Sequence, residues 1–128
     1  MSRLATGVDL IEIERVQSTI QRYGKRFLER VFTAQELVEV GNNTASLAAR
    51  YAAKEAVAKA LGTGIGPIAW REIEILHGPA RQPLLHLHGE AQKLASEMGL
   101  DAWSVSLSHT QTHAIATAVA FGERDERG

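Results

Sequence analysis

Between Trp103 and Phe121 the chain alternates in two runs. Trp103, Val105 and Leu107 are interleaved with Ser104, Ser106 and Ser108, and Ile115, Thr117, Val119 and Phe121 with Ala114, Ala116, Ala118 and Ala120. A period of two is the signature of a strand. With Thr110-Gln111-Thr112 between the runs, the pattern predicts a hairpin carrying His109 at its tip. Thr6 to Ile11 also alternates, with Val8 and Leu10 on one face and Gly7, Asp9 and Ile11 on the other. Trp70 to Leu76 and Leu84 to Leu87 alternate on either side of a connection punctuated by Pro79 and Pro83, and predict a second pair of strands.

Elsewhere the apolar positions recur at helical spacing. Ile13, Val16, Ile20 and Tyr23 form one stripe, with Gly24 as its stop. Thr33-Ala-Gln-Glu36 is a capping box that opens a short helix, and Asn43 or Thr44 caps a long helix reaching Leu61. Leu87, Ala91, Leu94, Ala95 and Met98 form a further stripe ended by Gly99. Strands and helices are mixed without a regular βαβ rhythm, so the expected class is α+β. The 128 residues are expected to form a single domain, residues 1–128, with a frayed charged tail over about 123–128.

Composition narrows the function classes. Lys and Arg total 14 against 15 acidic residues, so there is no overall basic signal for nucleic acid or membrane, and any electrostatic recognition must be local. The absence of Cys removes disulfides, thiolate nucleophiles and thiolate zinc sites, which fits a cytoplasmic protein. No segment approaches the ~20 apolar residues of a membrane span, and no basic stretch followed by a long apolar one marks a leader.

The densest chemistry lies in Arg50-Tyr-Ala-Ala-Lys-Glu-Ala-Val-Ala-Lys59-Ala-Leu-Gly-Thr-Gly-Ile-Gly66. At about 100° per residue, Glu55 shares a helix face with Tyr51, Ala48, Ala52 and Ala58, a setting in which a carboxylate needs a cation or donors. Lys59, one turn on, is the local candidate, although Glu55 and Lys59 also have the spacing of an ordinary surface ion pair. Gly62 ends the helix. With Gly64 and Gly66 it forms an alternating run whose backbone can lie against something flat or charged. The run follows its helix and lysine, unlike the phosphate loop that opens a helix.

Asp9, on a strand, is either a metal ligand paired with Glu55 or a cap for a neighbouring element. Two carboxylates completed by substrate phosphates and waters suit Mg²⁺. His86 and His88 share a strand face but lack a third zinc ligand, and His109 and His113 flank a turn. Arg15, Arg22 and Arg26 fall within about 20° of a common line if one helix runs through Gly24, with Lys25 and Arg30 nearby. They read either as a basic ridge for an acidic partner or as a solvated face.

Gly7-Val-Asp-Leu-Ile-Glu-Ile-Glu-Arg15, Phe27-Leu-Glu-Arg-Val-Phe-Thr33, Arg50 to Gly66, Trp70-Arg-Glu-Ile-Glu-Ile75 and Ser106-Leu-Ser-His109 together closely resemble holo-[acyl-carrier-protein] synthase. This is the short, single-repeat type of phosphopantetheinyl transferase. The resemblance implies the 4'-phosphopantetheinyl transferase fold, a small antiparallel sheet packed against a long central helix and shorter helices. It also implies transfer of the 4'-phosphopantetheine arm of coenzyme A to a serine of apo acyl carrier protein, with release of adenosine 3',5'-bisphosphate, in fatty acid biosynthesis.

By the same resemblance, Asp9 and Glu55 match Mg²⁺ ligands, Glu55 is the candidate proton acceptor, and Lys59 matches a lysine at the pyrophosphate. Gly62 and Gly64 match the loop lying against the nucleotide. Arg50, Pro83 and His109 match positions that help hold coenzyme A, and Arg15 matches the start of the carrier-protein docking helix, which Arg22 and Arg26 extend. Arg81-Gln82 departs from a Gly-Lys pair common in the family. A homotrimer with active sites between subunits is implied. Arg50 and Glu55, five residues apart on one helix, point about 140° away from each other, which fits such sharing. The alanine face of the last strand offers close approach either to another subunit or to a helix. The competing readings are a non-catalytic carrier- or nucleotide-binding module and a Mg²⁺-dependent phosphohydrolase acting on coenzyme A.

Overall fold

A computed structural model describes residues 2–123. The elements are β1 (Ser2–Glu12), α1 (Ile13–Tyr23), α2 (Lys25–Val31), α3 (Ala34–Val40), α4 (Thr44–Ala60), β2 (Ile73–His77), β3 (Pro83–Leu87), α5 (Gly89–Glu97), β4 (Ala102–His109) and β5 (His113–Glu123). The class is α+β, as the sequence implies. The small antiparallel sheet is three-stranded, in the order β1-β5-β4, and packs against the long α4 as the resemblance implies, while the predicted second pair of strands forms the two-stranded β2-β3.

The alanines of β5 decide how the layers meet. Ala114, Ala116, Ala118 and Ala120 are fully buried or nearly so, in clusters with the apolar face of α4. They pack under the helix, so this face is not a surface for another subunit. Side chains this small let helix and sheet backbones approach closely. Gly7 on β1 takes the approach furthest, since a Cβ there would overlap the Ala56 carbonyl of α4. Ile73 and Ile75 of β2, Ala91 of α5 and Leu100 just beyond α5 close the same core.

The opposite sheet face is apolar and open. Leu4, Val8 and Leu10 on β1 and Ile115, Val119 and Phe121 on β5 are all exposed, Leu4 at 71% and Leu10 at 62%. Exposed apolar patches of this kind mark interaction surfaces.

Several boundaries differ from expectation. β1 runs well beyond Thr6–Ile11 because β5 pairs with it along its whole length, from Ser2 opposite Glu123 to Glu12 opposite His113. Trp70–Glu72 is a 3₁₀ turn rather than the start of a strand. Glu72 accepts from the Ala69 N–H at 2.6 Å, and Lys54 Nζ donates to the Trp70 carbonyl at 3.1 Å, which holds that turn. Leu87 belongs to β3 rather than to the α5 stripe. Gly24, at φ 57°, separates α1 from α2, so no single helix carries Arg15, Arg22 and Arg26. The expected frayed tail falls mainly on 124–128, outside the described residues.

Candidate active site

β1 and α4 each deliver one carboxylate to the same place. Asp9 lies on the face of β1 that meets α4, opposite Ala116 of β5, and Glu55 lies on the facing side of the helix. Both line a cavity of about 250 Å³, together with Ile11, Arg15, Val16, Thr19, Phe27 and Tyr51. Burial, then the Asp9 charge, pushes the Glu55 carboxyl above its ordinary range, and Lys59 only partly offsets this. Tyr51 is pushed up as well, by burial first and then by Glu55 and Asp9.

Lys59 does not form the expected ion pair with Glu55. Its Nζ donates to the Val8 carbonyl at 2.9 Å and to Asp9 Oδ1 at 3.1 Å. The lysine therefore bridges α4 to β1, leaving Glu55 without a hydrogen-bonded cation among the described residues. Two carboxylates that repel one another in a part-buried cavity, with exposed space beside them, suit a divalent cation completed by substrate oxygens. An all-protein metal cage is absent among the described residues, where no three His, Cys, Asp or Glu converge.

Beyond Ala60 the backbone turns through Gly62 and Gly64, at φ 82° and 65°. No atom lies within 4 Å of where a Cβ would sit on either, so this loop presents bare backbone to open space. On the other side of the cavity, Arg15 of α1 lines it directly. Arg22 stands in the last turn of α1, with its guanidinium 5.4 Å from the Tyr23 ring, and Arg26 is on α2.

The remaining sequence candidates lie apart from the carboxylates. Arg50 is 2% exposed, and its Nη2 donates to Glu39 Oε1 of α3 at 2.9 Å. The same oxygen accepts the His77 N–H at 3.0 Å, while Arg50 Nη1 is buried without a partner among the described residues. Pro83 starts β3 opposite His77. His109 ends β4 at the hairpin tip, with Nδ1 3.3 Å from the Thr110 carbonyl. None of these residues lines the Asp9–Glu55 cavity. His88 pairs with Glu74 at 3.0 Å rather than starting a zinc site.

Sequence reasoning missed the support beneath the site. Lys54, beside Glu55 in the chain, is wholly buried. Its Nζ donates to Glu36 Oε1 at 2.7 Å, to the Ile73 carbonyl at 2.5 Å and to the Trp70 carbonyl. Glu36 in turn accepts the N–H groups of Thr33 at 2.8 Å and Ile75 at 3.0 Å. Burial pulls the Lys54 ammonium below its ordinary range against the opposing pull of Glu36. The capping box was legible, but that its glutamate also meets a buried lysine was not. Tyr51, stacked 4.6 Å from the Trp70 ring and 6.3 Å from Phe27, links this support to the cavity wall.

Residues 5–118 match the 4'-phosphopantetheinyl transferase superfamily. A holo-[acyl-carrier-protein] synthase of Herpetosiphon aurantiacus is 51% identical over 126 residues, covering 93% of this chain and 99% of its own. Among solved structures, Helicobacter pylori holo-[acyl-carrier-protein] synthase in complex with coenzyme A superposes with a TM-score of 0.83 at 32% identity, covering 90% of this chain and 98% of that one. The Bacillus anthracis enzyme in complex with coenzyme A (3',5'-ADP) gives 0.76 at 29% identity, over 93% and 96%. The chain belongs to the 4'-phosphopantetheinyl transferase superfamily and, within it, to the holo-[acyl-carrier-protein] synthases.

Proposed function

We propose that the protein transfers the 4'-phosphopantetheine arm of coenzyme A to a serine hydroxyl of apo acyl carrier protein and releases adenosine 3',5'-bisphosphate, in the service of fatty acid biosynthesis. The observation that carries this reading is the convergence of Asp9 and Glu55 on one cavity that Arg15 also lines. The carboxylates are placed for the pyrophosphate, and the arginine for an acidic carrier docking on α1. A purely carrier-binding module has no use for two mutually repelling acids in that position.

In the reaction, the serine Oγ attacks the phosphorus that bears the pantetheine arm. The bond from that phosphorus to the bridging oxygen breaks, and adenosine 3',5'-bisphosphate leaves with the electron pair. Asp9 and Glu55 would hold Mg²⁺, whose positive charge would offset the negative charge that builds as the bond breaks. Glu55 accepts the serine proton, since it faces the cavity wall formed by α1. Lys59, fixed on Asp9 and the Val8 carbonyl, presents its remaining donor capacity to the departing phosphate. Gly62 and Gly64 lie against the nucleotide. Arg15, Arg22 and Arg26 form the docking surface from two successive helices, and complementary charge there speeds encounter and excludes wrong partners.

The functional unit on this reading is a homotrimer. The exposed face of Leu4, Val8, Leu10, Ile115, Val119 and Phe121 supports it, as an apolar surface that further copies of the chain would cover. Arg50, Pro83 and His109 sit away from the carboxylates of their own subunit, which supports their serving coenzyme A bound to a neighbour. Transfer of radiolabelled pantetheine to apo-carrier, compared with release to water, tests the activity. Release to water alone would replace the transferase with a phosphohydrolase, and neither would leave a binding module.

A further inference from the structure

Tyr51 packs its ring and leaves its hydroxyl over. The ring lies 4.6 Å from that of Trp70 and 6.3 Å from that of Phe27, so aromatic contacts hold it on two sides. A phenylalanine would fill that place equally well. The hydroxyl is what a tyrosine adds, and it makes no hydrogen bond to another described residue. Tyr51 lines the cavity of Asp9 and Glu55, and the charges of Glu55, Asp9 and Arg15 all reach the phenol.

The other polar side chains of that cavity are already committed. Thr19 Oγ1 donates to the Arg15 carbonyl at 2.8 Å, and Asp9 accepts from Lys59. Glu55 can only accept while ionised. Arg15 is assigned above to the carrier. The remaining lining residues, Leu10, Ile11, Val16 and Phe27, are apolar. The Tyr51 O–H is therefore the neutral donor that this cavity has to spare, and a phenol, which ordinarily titrates at about 10, keeps its proton at neutral pH.

Its place along α4 gives that donor a direction. Tyr51, Glu55 and Lys59 follow one another at intervals of four residues, so they form a row of one-turn steps about 12 Å long. Lys59 stands at the end nearest Gly62 and Gly64, assigned above to the nucleotide. Tyr51 stands at the other end, beside Phe27 of α2 and in the cavity that Arg15 lines, which is the carrier side. Phosphoryl transfer keeps the attacking and leaving oxygens roughly in line. The row thus runs from where the serine arrives to where the bisphosphate leaves.

We propose that Tyr51 is a further catalytic residue, whose hydroxyl donates a hydrogen bond to a non-bridging oxygen of the transferring phosphoryl group, on the serine side of Glu55 and opposite Lys59. The role rests on the reaction given above. During transfer the charge is spread over the equatorial oxygens of that group, and a fixed donor aimed at one of them lowers the barrier.

The test is single-turnover transfer to apo-carrier at saturating Mg²⁺ by wild type, Tyr51→Phe and Tyr51→4-aminophenylalanine, with steady-state KM values and urea unfolding alongside. Tyr51→Phe deletes one oxygen and keeps the stack. It should lower the transfer rate constant about tenfold or more, the scale of losing a hydrogen bond to a charged group, while the KM values for coenzyme A and carrier stay within about twofold and the urea midpoint is unmoved. Tyr51→4-aminophenylalanine returns a donor at the end of the ring and should recover part of the rate. A rate constant within about twofold of wild type in Tyr51→Phe, a loss confined to KM, or a loss accompanied by a lowered urea midpoint overturns the assignment of Tyr51 and leaves the coenzyme A reading standing. Wild-type protein that modifies no carrier overturns that reading, and this role with it.

Discussion

Lys59 Nζ lies 3.1 Å from Asp9 Oδ1 and 2.9 Å from the Val8 carbonyl oxygen. A residue whose spacing suggests a partner one turn back on its own helix instead joins that helix to the first strand. Glu55 is left facing the cavity with its charge less compensated. The proposed division of labour follows from this, with Asp9 and Glu55 as metal ligands and Glu55 also accepting the proton.

Glu55→Gln is expected to keep the fold and carrier binding and to lose transfer by about a hundredfold or more, the scale of removing a key electrostatic group. The amide preserves shape but neither neutralises metal charge nor takes a proton. Transfer within a fewfold of wild type at saturating Mg²⁺, measured with apo-carrier, would remove Glu55 from the chemistry.

Lys54→Met should be among the most destabilising single changes in the chain. It leaves the buried Glu36 without its cationic partner and the Ile73 carbonyl without its lysine donor. Breaking a buried pair from one side costs about 3–5 kcal/mol. Urea unfolding of the variant reads this directly, and a loss below about 1 kcal/mol would show that the buried pair is dispensable to stability.

Stability should decline in acid through Glu74 and Glu39. Burial pushes the Glu74 carboxyl up, but the Thr33 hydroxyl, 2.5 Å away, and His88 outweigh it and hold the group below its ordinary range. Glu39 is likewise held down, against burial, by the His77 N–H and Arg50. A carboxylate whose pKa is lower folded than unfolded contributes stability that is complete above the unfolded value and lost as pH falls through the folded one. Unfolding free energy should therefore drop between about pH 5 and 3. Glu74→Gln should flatten part of that drop, and parallel curves for variant and wild type would argue against the pair.

Arg15→Glu and Arg22→Glu should each raise the KM for carrier protein and leave coenzyme A affinity nearly unchanged, with the defect deepening at low salt. Arg26→Glu, on α2 beyond the Gly24 break, tests whether the docking surface spans both helices. If the α1 variants weaken coenzyme A and carrier alike, α1 is not the docking surface.

Val119→Asp places a charge in the middle of the exposed sheet face and should dissociate the proposed trimer, as read by sedimentation. Glu55→Gln and Arg50→Ala chains, each nearly inactive alone, should regain partial transfer when co-refolded, because mixed trimers contain interfaces with both intact contributions. An active monomer, or mixtures no better than either parent, would defeat the shared site.

The elements of this fold were legible where one physical signal governed them. The alternation over Trp103–Phe121 foretold β4 and β5, and Thr33 with Glu36 foretold the cap of α3. What the pattern left open was decided by contacts between distant residues. The alanines of β5 suit a subunit or a helix equally in sequence, and only the approach of α4 chooses. Trp70–Glu72 alternates like a strand but is held as a turn by Lys54 and by Glu72 itself. At the site, the motif located Asp9, Glu55 and Lys59, whereas the pairing of Lys59 with β1 depends on how that strand lies across the helix.

That lie is set at Gly7. The site has no loop to adjust the distance between its two acids, for one is carried by a strand and the other by a helix, and the strand lies against that helix through the close contact of Gly7 with Ala56. On the proposed reading, the affinity of the two acids for a divalent cation is therefore a mechanical property of the core. A single methyl group added beneath the sheet, touching neither substrate, would wedge the jaws of the clamp apart.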